Sequence, residues 1–297
     1  MKILLTGSDG QLGKAIQKIK PPKYELICTN RKNLDLSNFS DCKNAVLFYK
    51  PNWVINAGAY TNVDQAENEY DKCFAVNSGA PKAFAEALKE TGGYLLQIST
   101  DFVFNGDQGK PYQPNQSHNP LNIYGKSKSQ GEKEALKLEQ SIIIRTSWLY
   151  SSIGKNFCST MLKLHKQKSE DNQTLNIVAD QIACPTNTDG LAKACWETIQ
   201  KGNLEKKILH WCDSGIASWY DFAFAIGELA VSKRIISKAA IVKPIRAIDY
   251  PTLALRPHFS LLDCNCTREF LDIEAKNWRC ALSDVLSQIN DGKLSKD

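Results

Sequence analysis

Residues 2–13 read KILLTGSDGQLG, a short apolar run that leads directly into three spaced glycines. Apolar residues then recur at helical spacing, at Ala15, Ile16 and Ile19, so the segment is predicted to form a strand, a glycine turn and a helix. Glycines in such a turn let the backbone approach a pyrophosphate, whose charge the helix N-terminus stabilises. The spacing is G-x2-G-x2-G rather than the usual G-x-G-x2-G, but its place directly after a clean strand favours a dinucleotide site.

The second predicted strand, residues 24–29, ends in Asn30, Arg31 and Lys32. An NAD-preferring site commonly carries an acidic residue about 20 residues past the glycines, where it holds the ribose 2′-hydroxyl. No acidic residue stands there in this chain. Asn30 can still bind a ribose, while Arg31 and Lys32 suit a 2′-phosphate. NADPH is therefore favoured over NADH, and the alternative role for the two cations is a solvated loop.

Three more strands are predicted, at residues 53–56, 93–98 and 141–146. Small residues follow the first of them, and such residues usually make room for a ligand at the carboxyl edge of a doubly wound sheet. The second strand delivers Thr100 and Asp101 to the same edge. Helical patterns separate the strands, which predicts an α/β fold: a Rossmann-like doubly wound parallel sheet with a smaller, interwoven C-terminal α/β lobe.

Tyr124 and Lys128 lie four residues apart in a segment that is predicted to begin a helix, so they share one helical face. A nearby cation favours the phenolate and lowers the pKa of tyrosine toward neutrality, where proton exchange is useful. Alone, the pattern fits a surface helix. Its position after the fourth strand favours a catalytic pair, with the Thr100 hydroxyl placed to donate to a substrate oxygen while Tyr124 supplies the proton.

The composition is that of an ordinary soluble enzyme, with 42% apolar and 23% charged residues in a chain of 297. No apolar run approaches the roughly 18 residues that span a bilayer, and the first ten residues carry no secretory signal pattern. A cytoplasmic location and no membrane partner are expected. The net charge of +5 is mild and dispersed, which argues against nucleic acid as a partner. The ten cysteines, including Cys28, Cys158 and Cys195, are interpreted as free buried thiols.

Several longer motifs follow one another along nearly the whole chain. They are STDFVFNG (99–106), PLNIYGKSKSQGE (120–132), IIRTSWLY (143–150), GKNF (154–157), ADQIACPT (179–186) and YPTLALRPHFSLLD (250–263). Together with TGSDGQLG, they resemble the extended short-chain dehydrogenase/reductase family, and more narrowly its dTDP-4-dehydrorhamnose reductases. The resemblance implies NADPH-dependent reduction of the C4 ketone of a dTDP-linked 4-keto-6-deoxy sugar, with NADH as a further cofactor.

By similarity to that family, several residues match functional positions. Thr100, Tyr124 and Lys128 match the catalytic positions. The predicted substrate-binding residues are Thr100, Asp101, Trp148 and Arg256. The predicted cofactor-binding residues are Gly7, Gly10, Gln11, Leu12, Gly13, Asn30, Arg31, Asp35, Leu36, Ala57, Ala59, Tyr60, Thr61, Tyr124 and Lys128. Arg256 is assigned to the substrate pyrophosphate, and the alternative is an internal ion pair with an acid such as Asp263.

Two departures from the family pattern bear on cofactor and assembly. Asn30 stands where the family often has an acidic residue, which supports dual or NADPH-leaning use. Some relatives form a metal-bridged dimer through a glutamate at the position of Ala15, so neither that metal nor that dimer is transferred, and a monomer or homodimer is expected. Cys264 and Cys266 with His258 upstream match no common zinc spacing, so no metal site is predicted.

The chain is predicted to form two interwoven domains. Residues 1–147 with about 184–211 are assigned to an NADP(H)-binding Rossmann domain, and residues 148–183 with about 212–297 to a substrate-binding domain. The tail from Asp291 is predicted to be disordered. Two alternative functions remain open: a reductase of another nucleotide-linked 4-keto-6-deoxy sugar, and a non-catalytic regulatory subunit resembling that of methionine adenosyltransferase.

Overall fold

The structure is a computed structural model that describes residues 1–202 and 205–294. In chain order its elements are β1 (Lys2–Thr6), α1 (Gln11–Lys18), β2 (Glu25–Cys28), α2 (Phe39–Tyr49), β3 (Trp53–Asn56), α3 (Val63–Ala66), α4 (Tyr70–Phe74), a π-helical turn (Ala75–Gly79), α5 (Ala80–Thr91), β4 (Tyr94–Thr100), a 3-10 turn (Asp101–Val103), α6 (Ile123–Ala135), β5 (Ser141–Thr146), β6 (Leu149–Tyr150), α7 (Phe157–Glu170), β7 (Thr174–Val178), β8 (Ile182–Ala183), β9 (Thr186–Asn187), α8 (Thr188–Lys201), β10 (Ile208–His210), β11 (Ala217–Ser218), α9 (Trp219–Ser232), β12 (Ile241–Ile245), a second 3-10 turn (Ala247–Asp249), α10 (Asn265–Leu271) and α11 (Trp278–Leu294).

The main sheet has the strand order β10-β5-β4-β3-β1-β2, and all of its neighbouring strands are parallel. β1 lies between β2 and β3, with Leu4 opposite Ile27 on one side and opposite Val54 on the other. The strand order reverses direction here, which in a doubly wound sheet opens a crevice at the carboxyl ends of the strands. The predicted Rossmann-like α/β fold is confirmed.

Helices cover both faces of this sheet, which is why its central strands are almost entirely buried. On one face Ile3 and Leu5 of β1 belong to a buried cluster with Ile16 of α1 and Trp196 of α8. On the other face Leu4 joins a second cluster that includes residues of α2 and α5. The alternation of side chains along β1 thus anchors the glycine turn that follows it.

Residues 70–91 form α4, a π-helical turn and α5 rather than one continuous α-helix. The π turn holds Asn77, a buried polar residue that is 2% exposed. Single π turns occur frequently at functional sites. Apolar spacing along the sequence cannot reveal such a turn, because it shifts the helical phase only locally.

The C-terminal part of the chain builds a second, smaller core. Its buried cluster includes Phe222 of α9 together with Trp278 and Leu282 of α11, and β7 pairs with β12 in a separate parallel ribbon. Between these segments the chain returns to the main sheet, where β10 pairs with β5. The two parts of the chain are therefore interwoven.

Some finer predictions were wrong. The segment from Asp291, predicted as disordered, continues α11 through Leu294, and residues 295–297 lie outside the described ones. The cysteines are free thiols, but Cys28, Cys266 and Cys280 are exposed rather than buried. Cys28 is exposed because it ends a strand at the edge of the main sheet. Within residues 1–202 and 205–294, no helix has the length and apolar character that a membrane crossing requires.

Candidate active site

The glycine turn after β1 and the start of α1 form the first part of the site. Gly7 has a left-handed φ of +65°, and a Cβ there would lie 2.7 Å from the Gly58 backbone, so only glycine fits. Gly10 occupies the N-cap of α1 without a side-chain cap. The first N–H groups of α1, at Gln11, Leu12 and Gly13, are thus available to an anion. This arrangement fits the pyrophosphate of a dinucleotide.

Gln11 contributes to this turn through its backbone only. Its side-chain Oε1 accepts hydrogen bonds from Ser151 Oγ at 2.9 Å and from Asn156 Nδ2 at 2.8 Å. Asn156 in turn caps α7. The predicted cofactor residue therefore also ties the glycine turn to the segment that follows β6.

The end of β2 and the loop after it carry the residues predicted to bind the adenosine half of the cofactor. A Cβ on Gly58 would meet Leu36 Cδ1 at 2.4 Å, so Leu36 closes over the strand end of β3. Asp35 accepts hydrogen bonds from the backbone and the hydroxyl of Ser37, and these bonds lower the pKa of its carboxyl. Arg31 is exposed. The structure thus brings the predicted residues of this side to one rim.

The segment after β3 carries Ala57, Ala59, Tyr60 and Thr61, and Asn77 fixes its backbone. Asn77 Oδ1 accepts from Tyr60 N at 2.9 Å, while Asn77 Nδ2 donates to Tyr60 O at 3.0 Å. Burial and the neighbouring carboxylate of Glu69 raise the pKa of Tyr60.

Asn77 Nδ2 also donates to Ser127 Oγ of α6 at 3.0 Å. The π turn therefore connects the cofactor-side loop to the helix of the Tyr-x3-Lys pair. Asn77 is not among the predicted site residues, because apolar spacing in the sequence does not reveal the π turn that brings it beside the site.

Thr100 and Asp101 lie at the carboxyl end of β4, as predicted. Thr100 Oγ1 donates to Asp101 Oδ1 at 3.0 Å, and Ser260 Oγ donates to Asp101 Oδ2 at 2.5 Å. Both carboxylate oxygens of Asp101 thus already accept bonds from the protein. Burial raises the pKa of Asp101 to about 6, against the effect of these two hydroxyls. Asp101 therefore fixes the orientation of the Thr100 hydroxyl.

Tyr124 lies in the first turn of α6, which Asn122 caps by accepting from Gly125 N at 2.7 Å. Burial raises the pKa of Tyr124 above its usual range, and a hydrogen bond with Thr100 opposes that rise. The structure therefore brings Tyr124 and Thr100 together at the end of β4. Phe102 packs edge-on against the Tyr124 ring at 5.8 Å between centroids.

Lys128 is buried one turn further along α6, and its Nζ donates to the carbonyl of Ile98 at 2.6 Å. Burial lowers the pKa of Lys128 to about 8, although the charge of Glu132 raises it. The expectation that Lys128 lowers the pKa of Tyr124 was wrong for this arrangement, because burial dominates and Lys128 is not among the groups that shift Tyr124.

Glu132, one further turn along α6, is the centre of a buried network that the sequence reasoning missed. It accepts from Ser99 Oγ at 2.5 Å and from Arg145 Nη2 at 2.7 Å, and it lies 3.3 Å from His118 Nε2. Burial alone would raise the pKa of Glu132, but His118 and Arg145 outweigh it and lower the pKa to about 2. The i+4 spacing from Lys128 was a signal that could have identified Glu132.

Trp148 and Arg256, the remaining predicted substrate residues, lie on the C-terminal side. Trp148 adopts a left-handed φ of +45°, which is strained for a bulky residue. Its ring stacks on that of Trp219 in α9, with 3.5 Å between the ring centroids. Arg256 forms a 2.7 Å ion pair with Asp64 of α3. The expected alternative partner, Asp263, instead accepts a hydrogen bond from Gln113. Among the described residues, no group of three His, Cys, Asp or Glu side chains could hold a metal ion.

Comparison with known proteins identifies the family. The model of the RmlD substrate binding domain matches residues 1–290, which include the glycine turn, the Tyr-x3-Lys helix and the C-terminal part. The chain belongs to this family. Full-length similarity to named reductases makes it an RmlD-family reductase, as the motif resemblance predicted.

Two curated relatives of this RmlD-family chain illustrate the range of names. The dTDP-4-dehydrorhamnose reductase of Aggregatibacter actinomycetemcomitans is 36% identical over 291 residues, which cover 96% of this chain and 98% of the relative. The spore coat polysaccharide biosynthesis protein SpsK of Bacillus subtilis is 38% identical over 293 residues, with 97% of each chain covered.

Solved RmlD-type structures match the architecture closely. A dTDP-4-dehydrorhamnose reductase of Clostridium acetobutylicum has a TM-score of 0.89 and 35% identity, covering 98% of this chain and 100% of that one. The enzyme of Bacillus anthracis, solved in complex with NADP, has a TM-score of 0.87 and 32% identity, covering 97% and 99%.

Proposed function

We propose that this protein reduces the C4 ketone of dTDP-4-dehydro-β-L-rhamnose to give dTDP-L-rhamnose, the last step of dTDP-rhamnose biosynthesis. The observation that carries the proposal is the convergence of Thr100, Tyr124 and Lys128 at the carboxyl end of β4, beside an uncapped helix N-terminus that suits a dinucleotide. Family membership and the reductase names of similar proteins support it. The cofactor is NADPH, with NADH also accepted.

The bound nicotinamide would supply the hydride for C4. Negative charge then grows on the former carbonyl oxygen, and Tyr124 donates its proton to that oxygen. Tyr124 keeps this proton at neutral pH, because burial raises its pKa. The Thr100 hydroxyl, whose single proton is donated to Asp101 Oδ1 in the structure, turns toward the same oxygen and donates a second hydrogen bond to it.

Lys128 has one role in this scheme. Its ammonium, on the same face of α6 as Tyr124, binds the nicotinamide ribose. With a pKa of about 8, Lys128 is mostly charged at neutral pH. An intact set of Thr100, Tyr124 and Lys128 also argues against a purely regulatory role.

The C-terminal part is assigned to the sugar nucleotide. Trp148 packs against the substrate, Asp101 supports it through Thr100, and Arg256 binds its diphosphate after leaving Asp64. Residues 1–147 with about 184–211 would bind the cofactor, and residues 148–183 with about 212–297 the substrate; residues 203–204 and 295–297 lie outside the described ones. A cytoplasmic location and a monomer or homodimer complete the proposal.

The test is to supply the purified protein with dTDP-4-dehydrorhamnose and NADPH, to follow cofactor oxidation, and to identify the product sugar by NMR. The expected product is dTDP-L-rhamnose. A C4 epimer, or turnover only with another nucleotide-linked 4-keto-6-deoxy sugar, would overturn the substrate assignment. If the protein binds the cofactor but oxidises no NADPH in the presence of any of these sugars, the regulatory alternative is favoured.

A further inference from the structure

The glycine turn and the end of β2 are joined by a hydrogen bond between two side chains. Asn30 Nδ2 donates to Asp9 Oδ2 at 2.8 Å. Asn30 Oδ1 accepts from Lys32 N at 2.9 Å, which determines which end of the Asn30 amide faces Asp9. The Asp9 carboxylate therefore lies beside Asn30, although Asn30 by itself would give this part of the site no charge.

The backbone holds Asp9 in this place. Gly10 N donates to Gly7 O at 2.9 Å, which closes a tight turn with Ser8 and Asp9 at its tip. Ser8 N donates to Thr29 O at 3.0 Å and ties that turn to the end of β2. Asp9 is exposed, and within residues 1–202 and 205–291 no group donates to its Oδ1. This oxygen is available to a hydroxyl donor of a ligand.

The same rim carries charges of both signs. Arg31 and Lys32 are exposed cations, and the pKa of Asp35 is lowered chiefly by its bonds to Ser37 and further by the charges of Arg31 and Lys72. Lys72 is itself paired with Glu69 at 3.2 Å, so Asp9 and Asp35 offset Arg31 and Lys32. A 2′-phosphate, with a charge of about −1.5 to −2, would lie against the Asp9 carboxylate.

We propose that Asp9 discriminates between NADH and NADPH. Its carboxylate accepts a hydrogen bond from the 2′-hydroxyl of the adenosine ribose and repels the 2′-phosphate, which is the role that an acidic residue at the end of β2 performs in other dinucleotide folds. The inference rests on the proposed dinucleotide site and sharpens it: the chain binds NADH at least as tightly as NADPH, against the preference that Asn30, Arg31 and Lys32 suggest in the sequence.

The test is a binding experiment that needs no turnover. Calorimetry measures the dissociation constants of NADH and NADPH, and of ADP-ribose and its 2′-phosphate, for the wild-type protein, Asp9→Asn and Asp9→Ala. Both variants should shift the ratio of affinities toward the phosphorylated ligand by about tenfold, and the shift should shrink in 0.5 M salt.

Glu139→Gln is the matched control, because it removes one negative charge from an exposed residue just before β5, a strand in the half of the sheet opposite β2. The ratio of its affinities for NADH and NADPH should stay within about twofold of the wild-type ratio. If Asp9→Asn changes the ratio no more than Glu139→Gln does, the role of Asp9 is overturned while the dinucleotide site stands. If the wild type binds neither dinucleotide, the proposed function itself fails.

Discussion

Arg256 and Asp64 form an ion pair with two hydrogen bonds, from Nη1 to Oδ1 at 3.1 Å and from Nη2 to Oδ2 at 2.7 Å. The pair joins the segment after β12 to α3, beside the cofactor-side loop. Ala254 N also donates to Asp64 Oδ1 at 3.1 Å, and the bond from Arg256 lowers the pKa of Asp64. Arg256 must exchange this partner if it is to bind a diphosphate.

We therefore expect Asp64 and Arg256 to have opposite effects on substrate binding. Arg256→Ala should raise the KM for the sugar nucleotide about tenfold or more, because charge-assisted hydrogen bonds contribute about 1.5–3 kcal/mol. Asp64→Asn releases the guanidinium and should leave that KM unchanged or lower it. Arg246→Ala removes a cation from the same segment as a control. A rise in KM for Asp64→Asn equal to that for Arg256→Ala would mean that the pair is only structural.

Tyr124→Phe should abolish most turnover and preserve binding. The change removes only the hydroxyl that donates the proton, and general acid catalysis contributes about 10²–10⁴-fold. Steady-state rates and calorimetric affinities for NADPH measure the two effects separately. Tyr70→Phe, at an exposed tyrosine of α4, should match the wild type in both. Near-normal turnover by Tyr124→Phe would remove Tyr124 from the mechanism.

Local patterns in the sequence predicted the parts of the site that lie within one turn or one helix. The glycine turn and the Tyr124–Lys128 pair are of this kind, because strand, turn and helix periodicity determine them. Their meeting at one sheet edge followed from parallel topology.

The contacts that could not be predicted join distant residues. Asp9 and Asn30 are 21 positions apart, Asp101 and Ser260 are 159 apart, and Asp64 and Arg256 are 192 apart. Each pairing depends on tertiary packing, and no local propensity encodes it. This is why the sequence alone suggested a different acid for Arg256 and no acid near Asn30.

The catalytic efficiency should fall as the pH rises above about 8. Burial lowers the pKa of Lys128 to about 8, and the neutral amine that forms above this pH binds the nicotinamide ribose more weakly than the ammonium does. A profile of kcat/KM from pH 6 to 10 measures this fall. In Lys128→Arg the fall should move to higher pH, because arginine stays charged. A flat profile through pH 9 would contradict a role for charged Lys128.

The same pKa shift affects stability. Free lysine titrates near about 10.4, so above a pH of about 8 and up to that value the unfolded state binds more protons than the folded state. The contribution of Lys128 to the free energy of unfolding therefore rises with pH through this window. Urea denaturation of the wild type and of Lys128→Met at pH 7 and pH 9.5 measures it: the wild type should gain relative to the variant at the higher pH.

Removing one partner of the Glu132–Arg145 pair should lower the free energy of unfolding more than the same change in any other described ion pair of the main-sheet part. Both side chains are about 1% exposed, and removing one partner of a buried pair leaves an uncompensated charge, which costs about 3–5 kcal/mol. Glu132→Gln should lose this amount in urea denaturation at pH 7. Glu134→Gln is the matched control two residues along α6: its partner Lys137 is largely exposed, so the loss should stay below about 1 kcal/mol.

The pH dependence of this pair has a definite sign. The pKa of Glu132 is lowered to about 2, against about 4.3 in an unfolded chain. Its contribution to the free energy of unfolding is therefore complete above about pH 4.3 and is lost as the pH falls through about 2. Between pH 5 and pH 3 the wild type should lose more stability than Glu132→Gln does. Equal losses would mean that the pKa of Glu132 is the same in the folded and unfolded states, and the ion pair would then be no source of acid sensitivity.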